Sequence, residues 1–261
     1  MRVKPNALIA VLIAVGYAAV VSTMWAIADI DYDTVADTVD NVRKGVVYSV
    51  AAGTIYLIVV TTALGWWKPA LREPRPAGKR WMFVVPGLLL VGAVMNIAST
   101  KWGDIDGVGT YVLWVVIGVA LVGFSEEMAM RGLAIVGARG SMHEKWVWAF
   151  SGLLFGLLHV PNAFFGQSGK DTVQQVFFAF AVGLAYYVTR RITGTLVVTM
   201  VLHALWDGSL FIQQHSTDNI PLGGVVMTPA VIVAVFALIK LLKEGDVVEP
   251  GGDQLKALEK V

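Results

Sequence analysis

Five ionisable side chains stand in stretches that are otherwise almost wholly apolar. Glu126 and Glu127 lie in Phe124-Ser125-Glu126-Glu127-Met128-Ala129-Met130-Arg131, His159 closes Phe155-Gly156-Leu157-Leu158-His159, and His203 and Asp207 bracket His203-Ala204-Leu205-Trp206-Asp207. A charge at the centre of a bilayer costs at least ~2.5–3.5 kcal/mol on the insertion scale, so each such residue needs a reason. Two carboxylates and two imidazoles point to hydrolysis. A carboxylate kept from bulk water can take a proton from a water molecule as a general base. A histidine can orient that water, and a second polar pair can hold the oxyanion of an attacked peptide. Alternatively, Glu126, His159 and His203 could hold a divalent metal such as zinc, which takes His and carboxylate ligands and acidifies its bound water. The residues alone leave metal-dependent and metal-independent hydrolysis both open.

Spacing sharpens the roles. Glu127 and Arg131 are four apart and share a helix face, which predicts an ion pair. Glu126 points about 100° away from Glu127 around the same helix and is the freer carboxylate. His203 and Asp207 are also four apart and can act on one object, and Phe155, one turn before His159, can wall a pocket. Plainer readings stand beside these. Glu127 with Arg131 suits interhelical glue, Phe155 and Trp206 suit core packing, and His143 and His215 suit ordinary loops. Other protease signatures are absent. His143-Glu144-Lys145-Trp146-Val147 lacks the second histidine of H-E-x-x-H, and Gly123-Phe124-Ser125-Glu126 lacks the final glycine of G-x-S-x-G. With no cysteine in the chain, thiolate catalysis and disulfides are excluded.

The elements that must position these groups are membrane spans. The chain has 261 residues, 56% hydrophobic and only 15% charged, and the charges cluster between long apolar runs. Nothing resembles the basic stripe that nucleic-acid binding needs. A spanning helix takes roughly 20 apolar residues. Eight runs qualify: Asn6 to Ala28, Val46 to Trp67, Trp81 to Ser99, about Gly109 to Ala138, Trp146 to Phe165, Thr172 to Thr189, Thr195 to Ile212 and Pro221 to Ile239. The fold expected is an all-α, polytopic membrane bundle of about eight helices. It forms one unit over residues 1–245, with a solvated cytoplasmic tail over 246–261. Ala26-Ile27-Ala28 mimics a signal-peptidase site, but the preceding apolar run exceeds the 7–15 residues of a signal core, so a retained helix is expected.

Of the 20 Lys and Arg residues, all but Arg43, Lys44, Lys101 and Lys170 fall at one set of span ends. The opposite set carries Asp29, Asp31, Asp33, Asp37, Asp40, Asp104, Asp106, Asp171 and Asp218. That bias places both termini in the cytoplasm and favours a substrate approaching from that side. Trp66, Trp67, Trp81, Trp146 and Trp148 are expected at the cytoplasmic interface. Counted at about 1.5 Å per residue from Arg139, Lys145 and Arg191, residues Glu126, His159 and His203 all lie about 18–21 Å from the cytoplasmic charges. Three helices thus offer polar side chains at one depth.

Glu-Glu-x-x-x-Arg (Glu126, Glu127, Arg131), Phe-x-x-x-His (Phe155, His159) and His-x-x-x-Asp (His203, Asp207), in this order on separate helices, resemble the CPBP family. That family comprises CAAX prenyl proteases of the type 2 class and bacteriocin-processing enzymes, and is also called the Abi family. The Arg131-Gly132 step and the Thr193-Gly194-Thr195 run resemble it as well. The likeness covers about residues 109–212, the catalytic core. It implies an intramembrane endopeptidase acting on membrane-associated substrates, whether prenylated CAAX-type proteins or leader peptides. Glu126 would then be the general base, His159 its partner, His203 and Asp207 the oxyanion site, and Glu127, Arg131 and Phe155 their support. Family members are described both as metalloproteases and as enzymes with glutamate-activated water. Asp207 departs from the more usual asparagine. Ionised aspartate accepts but does not donate hydrogen bonds, so an ionised Asp207 suits ligating a metal or orienting His203. The alternative function is a non-catalytic membrane regulator that binds a sensor kinase or another membrane protein, and no motif residue is missing to favour it. A transporter is the weakest reading, because the chain shows no inverted repeat.

Overall fold

The computed structural model describes residues 1–74, 76–105, 107–215 and 221–244. Arg75, Asp106, Asp218 and the expected tail at 246–261 lie outside the described residues. The described residues fold as eight long helices: α1 (Ala7–Ala28), α2 (Val39–Leu64), α3 (Arg80–Ser99), α4 (Val108–Arg139), α5 (Glu144–Phe165), α6 (Gly169–Thr193), α7 (Val197–Gln214) and α8 (Gly223–Glu244). No strand occurs among the described residues; the sole β-type contact is an isolated bridge between Arg72 and Thr195. Successive helices run antiparallel, so the N-terminus, the α2–α3 and α4–α5 connections and the end of α8 share one end of the bundle, the terminal end. The residue 29–38 loop and the α5–α6 connection lie at the other, the loop end.

Seven of the eight helices are long and apolar enough to cross a membrane; α7 is not among them. His203, Asp207, Gln213 and Gln214 dilute its apolarity, and it is accommodated because its polar face turns inward. The outer surface is apolar. Ile27 is 74% exposed, Val225 72% and Phe164 82%, with Leu8, Leu12, Ile55, Val59 and Phe236 also facing outward. In water such a surface would be a large aggregation liability, whereas hydrocarbon requires it. This is an integral membrane protein.

Local chemistry sets the helix ends. Asn6 caps α1 by accepting from the Ile9 N–H at 2.9 Å. Ser168 caps α6, where Asp171 stands in the first turn and Arg190 and Arg191 in the last, matching the helix dipole. Gly194 ends α6 in the left-handed region (φ 77°), which a Cβ would disfavour. The chain then pairs with the strap that follows α2: Glu73 N–H donates to the Gly194 carbonyl at 3.0 Å, and Leu196 N–H to the Leu71 carbonyl at 2.9 Å. The Thr193-Gly194-Thr195 run thereby fixes where α7 begins, and with it the height of His203.

Three sequence expectations are corrected. The α-helical part of α5 stops at Leu157, and Val160–Phe165 continues as 3-10 turns, so His159 stands at a junction rather than in mid-helix. Arg139, Arg190 and Arg191, taken as markers of the headgroup layer, are buried among protein groups. Trp66 is likewise wholly buried and donates from Nε1 to the Val3 carbonyl at 2.8 Å, while Trp81 and Trp146 are exposed. The polar contacts available inside the bundle outweigh the headgroup preference of these side chains.

Helices α4 and α7, which carry most of the candidate site, approach closely at Gly123. A Cβ there would strike the Met200 carbonyl and the backbone and side chain of Ala204. Gly123→Val is expected to wedge α7 from α4 and to cost about 1–3 kcal/mol as an overpacked contact. The measurement is the melting temperature of the purified variant in detergent, and an unchanged value would contradict the close approach.

Candidate active site

The site is built on the break in α4. Regular helix runs to Glu127, and Met128–Ala134 is π-helical, the kind of wide turn often found at functional sites. Neighbouring helices take up the carbonyls of this turn. Ser151 of α5 donates to the Met130 carbonyl at 2.8 Å, and Arg190 of α6 donates to the Arg131 carbonyl.

Glu127 stands just before this turn and Arg131 within it; both are fully buried, and they form the ion pair that their spacing predicts, at 2.9 Å. The same carboxylate oxygen is 2.9 Å from Nδ1 of His203 on α7. Arg131 also lies beneath two aromatic faces, 3.9 Å from the Phe155 ring centroid and 5.1 Å from that of Tyr186. Such contacts stabilise a guanidinium that has left water. His203 stacks on Tyr186 at 5.2 Å and meets the edge of Phe155 at 5.6 Å. Its ring is therefore held by these two rings and at Nδ1, which leaves Nε2 to face the cavity. There Asp207 Oδ2 is 3.4 Å away and Glu126 Oε2 is 3.8 Å away.

Glu126 and Asp207 keep some exposure, 18% and 25% of their side chains, against none for Glu127. Both line a cavity of about 280 Å³, together with His159, His203 and Phe155; Glu127 and Arg131 do not reach it. His159 Nδ1 pairs with the Phe155 carbonyl at 2.9 Å, so this bond and the ring contact at 5.2 Å fix the imidazole. The structure thus brings Glu126, His159, His203 and Asp207 to one cavity, with Glu127, Arg131 and Phe155 behind it.

Among the described residues no group of three or more His, Cys, Asp or Glu side chains is arranged to hold a metal ion. Glu126, His159 and His203 share the cavity, and the contact of His203 Nδ1 with Glu127 leaves Nε2 facing it, the arrangement a ligating histidine would also take.

Sequence reasoning missed several contributors. Tyr17 of α1 hydrogen-bonds Ser125 at 2.8 Å beside Glu126 and lines the cavity. Tyr186 looked like any aromatic in an apolar run. Glu73 and Glu144 carried no signal, yet they anchor Arg139, Arg190 and Arg191 at the terminal end, where Arg139 reaches Glu144 at 2.7 Å and Glu73 at 2.9 Å. That cluster fills the terminal end, whereas the cavity lining includes Trp25, Tyr32, Val35, Asn162, Gln175 and Phe211 from the loop end. The cavity lining thus extends toward the loop end of the bundle.

Fold and site together define a membrane-embedded helical bundle with a carboxylate–imidazole centre in its interior. Residues 108–209 match the family model described as Type II CAAX prenyl endopeptidase Rce1-like. The match covers less than half of the chain but spans all three motifs, and over this core the chain is similar to CAAX-type membrane endopeptidases. No curated protein and no solved structure matches the chain.

Removing one partner from a buried ion pair leaves the other charge without compensation. Arg131→Met is expected to destabilise the protein by about 3–5 kcal/mol. Arg131→Met combined with Glu127→Gln should recover most of that loss. Unfolding of Arg131→Met, Glu127→Gln and the double variant in detergent measures this coupling, and a double variant as unstable as Arg131→Met would refute it.

Proposed function

We propose that this protein is an intramembrane endopeptidase in which Glu126 activates water against a peptide bond of a membrane-associated substrate. The observation that carries the reading is the division of labour between adjacent glutamates. Glu127 is consumed by Arg131 and His203, whereas Glu126 faces the cavity with His159, His203 and Asp207.

In this reading a water held between Glu126 and His159 gives a proton to the Glu126 carboxylate as its oxygen attacks the carbonyl carbon. The carbonyl oxygen becomes the oxyanion and takes hydrogen bonds from donors on the opposite wall, with His203 Nε2 among them when it carries a proton. The proton then passes from Glu126 to the departing amine nitrogen as the C–N bond breaks, and two termini are released. Because Glu127 accepts from Nδ1, the His203 ring keeps the orientation that aims Nε2 at the cavity. Asp207 orients this edge of the ring. No step is assigned to a metal.

The substrate class follows from the lining. Val21, Val46, Val50, Val122, Phe178, Trp206 and Leu210 make the cavity mostly apolar, which suits a peptide whose neighbouring groups, side chains or lipid, are apolar. The distribution of Lys and Arg puts both termini in the cytoplasm. With that orientation the cavity is reached from the bilayer or from the non-cytoplasmic face.

The test is cleavage of a panel of fluorogenic lipidated and unlipidated peptides by the purified protein, with and without chelator. Glu126→Ala and His203→Ala are each expected to lower kcat at least ~10²-fold, as loss of a positioned acid–base group does, while remaining folded. Activity of the wild type is expected to survive chelation, and its loss would restore the metal reading. Full activity in Glu126→Ala would sink the proposal. Cleavage absent both from this panel and in cells would favour a non-catalytic regulator of another membrane protein.

A further inference from the structure

We propose that the phenolic hydroxyl of Tyr32 donates a hydrogen bond to the substrate carbonyl oxygen as it becomes an oxyanion. This rests on the peptidase reading and adds to it a residue from outside the matched region. Tyr32 opens the short turn Tyr32–Thr34 between α1 and α2, far in sequence from residues 108–209. Its side chain nonetheless lines the same cavity as Glu126, His159, His203 and Asp207.

The direction of its hydrogen bond follows from the amides around it. The Gln175 carbonyl oxygen Oε1 accepts from Asn162 Nδ2 at 2.9 Å and from Gln167 Nε2 at 3.0 Å. Gln167 is oriented in turn, because its own Oε1 accepts from the Thr172 hydroxyl at 2.9 Å. With its oxygen doubly engaged, Gln175 meets Tyr32 through Nε2, which donates to the phenolic oxygen at 2.6 Å. An amide nitrogen only donates, so the phenol oxygen is the acceptor here and its own O–H hydrogen remains to be given elsewhere. Among the described residues no acceptor takes that hydrogen. The Trp25 ring, 5.6 Å from the Tyr32 ring, fixes the phenol from the side.

The chemistry of the site calls for such a donor. Where an amide would bring a donor, Asp207 brings a carboxylate beside His203 Nε2, and carboxylate oxygens accept. Tyr32 can supply what Asp207 does not. Burial pushes its phenol up to about 12; the Gln175 hydrogen bond opposes this rise, and the charges of Asp207, Glu126 and Asp33 add to it. It therefore stays protonated, and a donor, at any pH at which a peptidase works.

The experiment compares kcat and KM of wild type, Tyr32→Phe, Glu126→Ala and Tyr32→Phe/Asp207→Asn on the fluorogenic peptide that the wild type cleaves best. Tyr32→Phe is expected to lower kcat roughly 10²-fold, the loss typical of one oxyanion donor, with KM changed less than about twofold. Adding Asp207→Asn should restore part of kcat, since an amide donates; a purely structural role for Tyr32 gives no such rescue. Replacing Tyr32 by a difluorotyrosine keeps the shape but ionises at lower pH, so the alkaline loss of kcat should move to lower pH. Wild-type kcat in Tyr32→Phe, or an unmoved pH profile for the difluoro variant, with Glu126→Ala inactive, overturns the donor role and leaves the peptidase reading standing. Activity in Glu126→Ala overturns both.

Discussion

The carboxylate of Glu127, taken wholly out of water, is the constraint around which the rest of the site is arranged. In hydrocarbon it must be matched, and the match comes from two helices: Arg131 one turn further along α4, and His203 on α7. Meeting both fixes the separation and rotation of α4 and α7, and Gly123 permits the close approach that this requires. The same contact fixes the His203 ring. Because Glu127 and Arg131 balance each other, Glu126 is left as the carboxylate that faces the cavity. Adjacent residues of the same type thus take opposite roles through the 100° between them on the helix.

Holding that arrangement requires support that reaches well beyond the motif residues. The π-helical turn at Met128–Ala134 sets its carbonyls where Ser151 and Arg190 can take them, which ties α4 to α5 and α6. Arg190 also contacts Glu73 and the Pro69 carbonyl, so the strap after α2 joins the same network. That strap in turn pairs with the residues that begin α7. A continuous path of hydrogen bonds and ion pairs therefore runs from the terminal end of the bundle to both helices that carry the carboxylate–imidazole centre. Buried charges add little net stability, but they fix one arrangement over others when every partner is in place.

The two ends of the bundle differ in what fills them. At the terminal end, three arginines and two glutamates occupy the interior, and the excess positive charge of Arg190 is met by backbone carbonyls. Toward the loop end the space between helices is left open and lined by apolar side chains, with amide and phenol groups near its rim. The rim groups come from the 29–38 loop, the 3-10 turns after His159 and the start of α6. The N-terminal third of the chain, where the sequence shows no chemical motif, therefore contributes to the cavity through Tyr17, Trp25 and Tyr32.

The sequence alone determined the fold class, because a chain so apolar, with charges confined between runs of about 20 residues, has one stable solution in a bilayer. It also determined which ionisable residues share a site, since each is too costly to bury without purpose, and the four-residue spacing gave the Glu127–Arg131 pair. Tertiary structure alone decided the rest. That His203 Nδ1 goes to Glu127, that α5 loses α-helical form just before His159, and that arginines counted as headgroup charges are interior depend on contacts between helices distant in sequence. The same holds for Tyr32, Gln175, Glu73 and Glu144. Helical periodicity reports which face a residue takes on its own helix, whereas the helix opposite that face is set by packing.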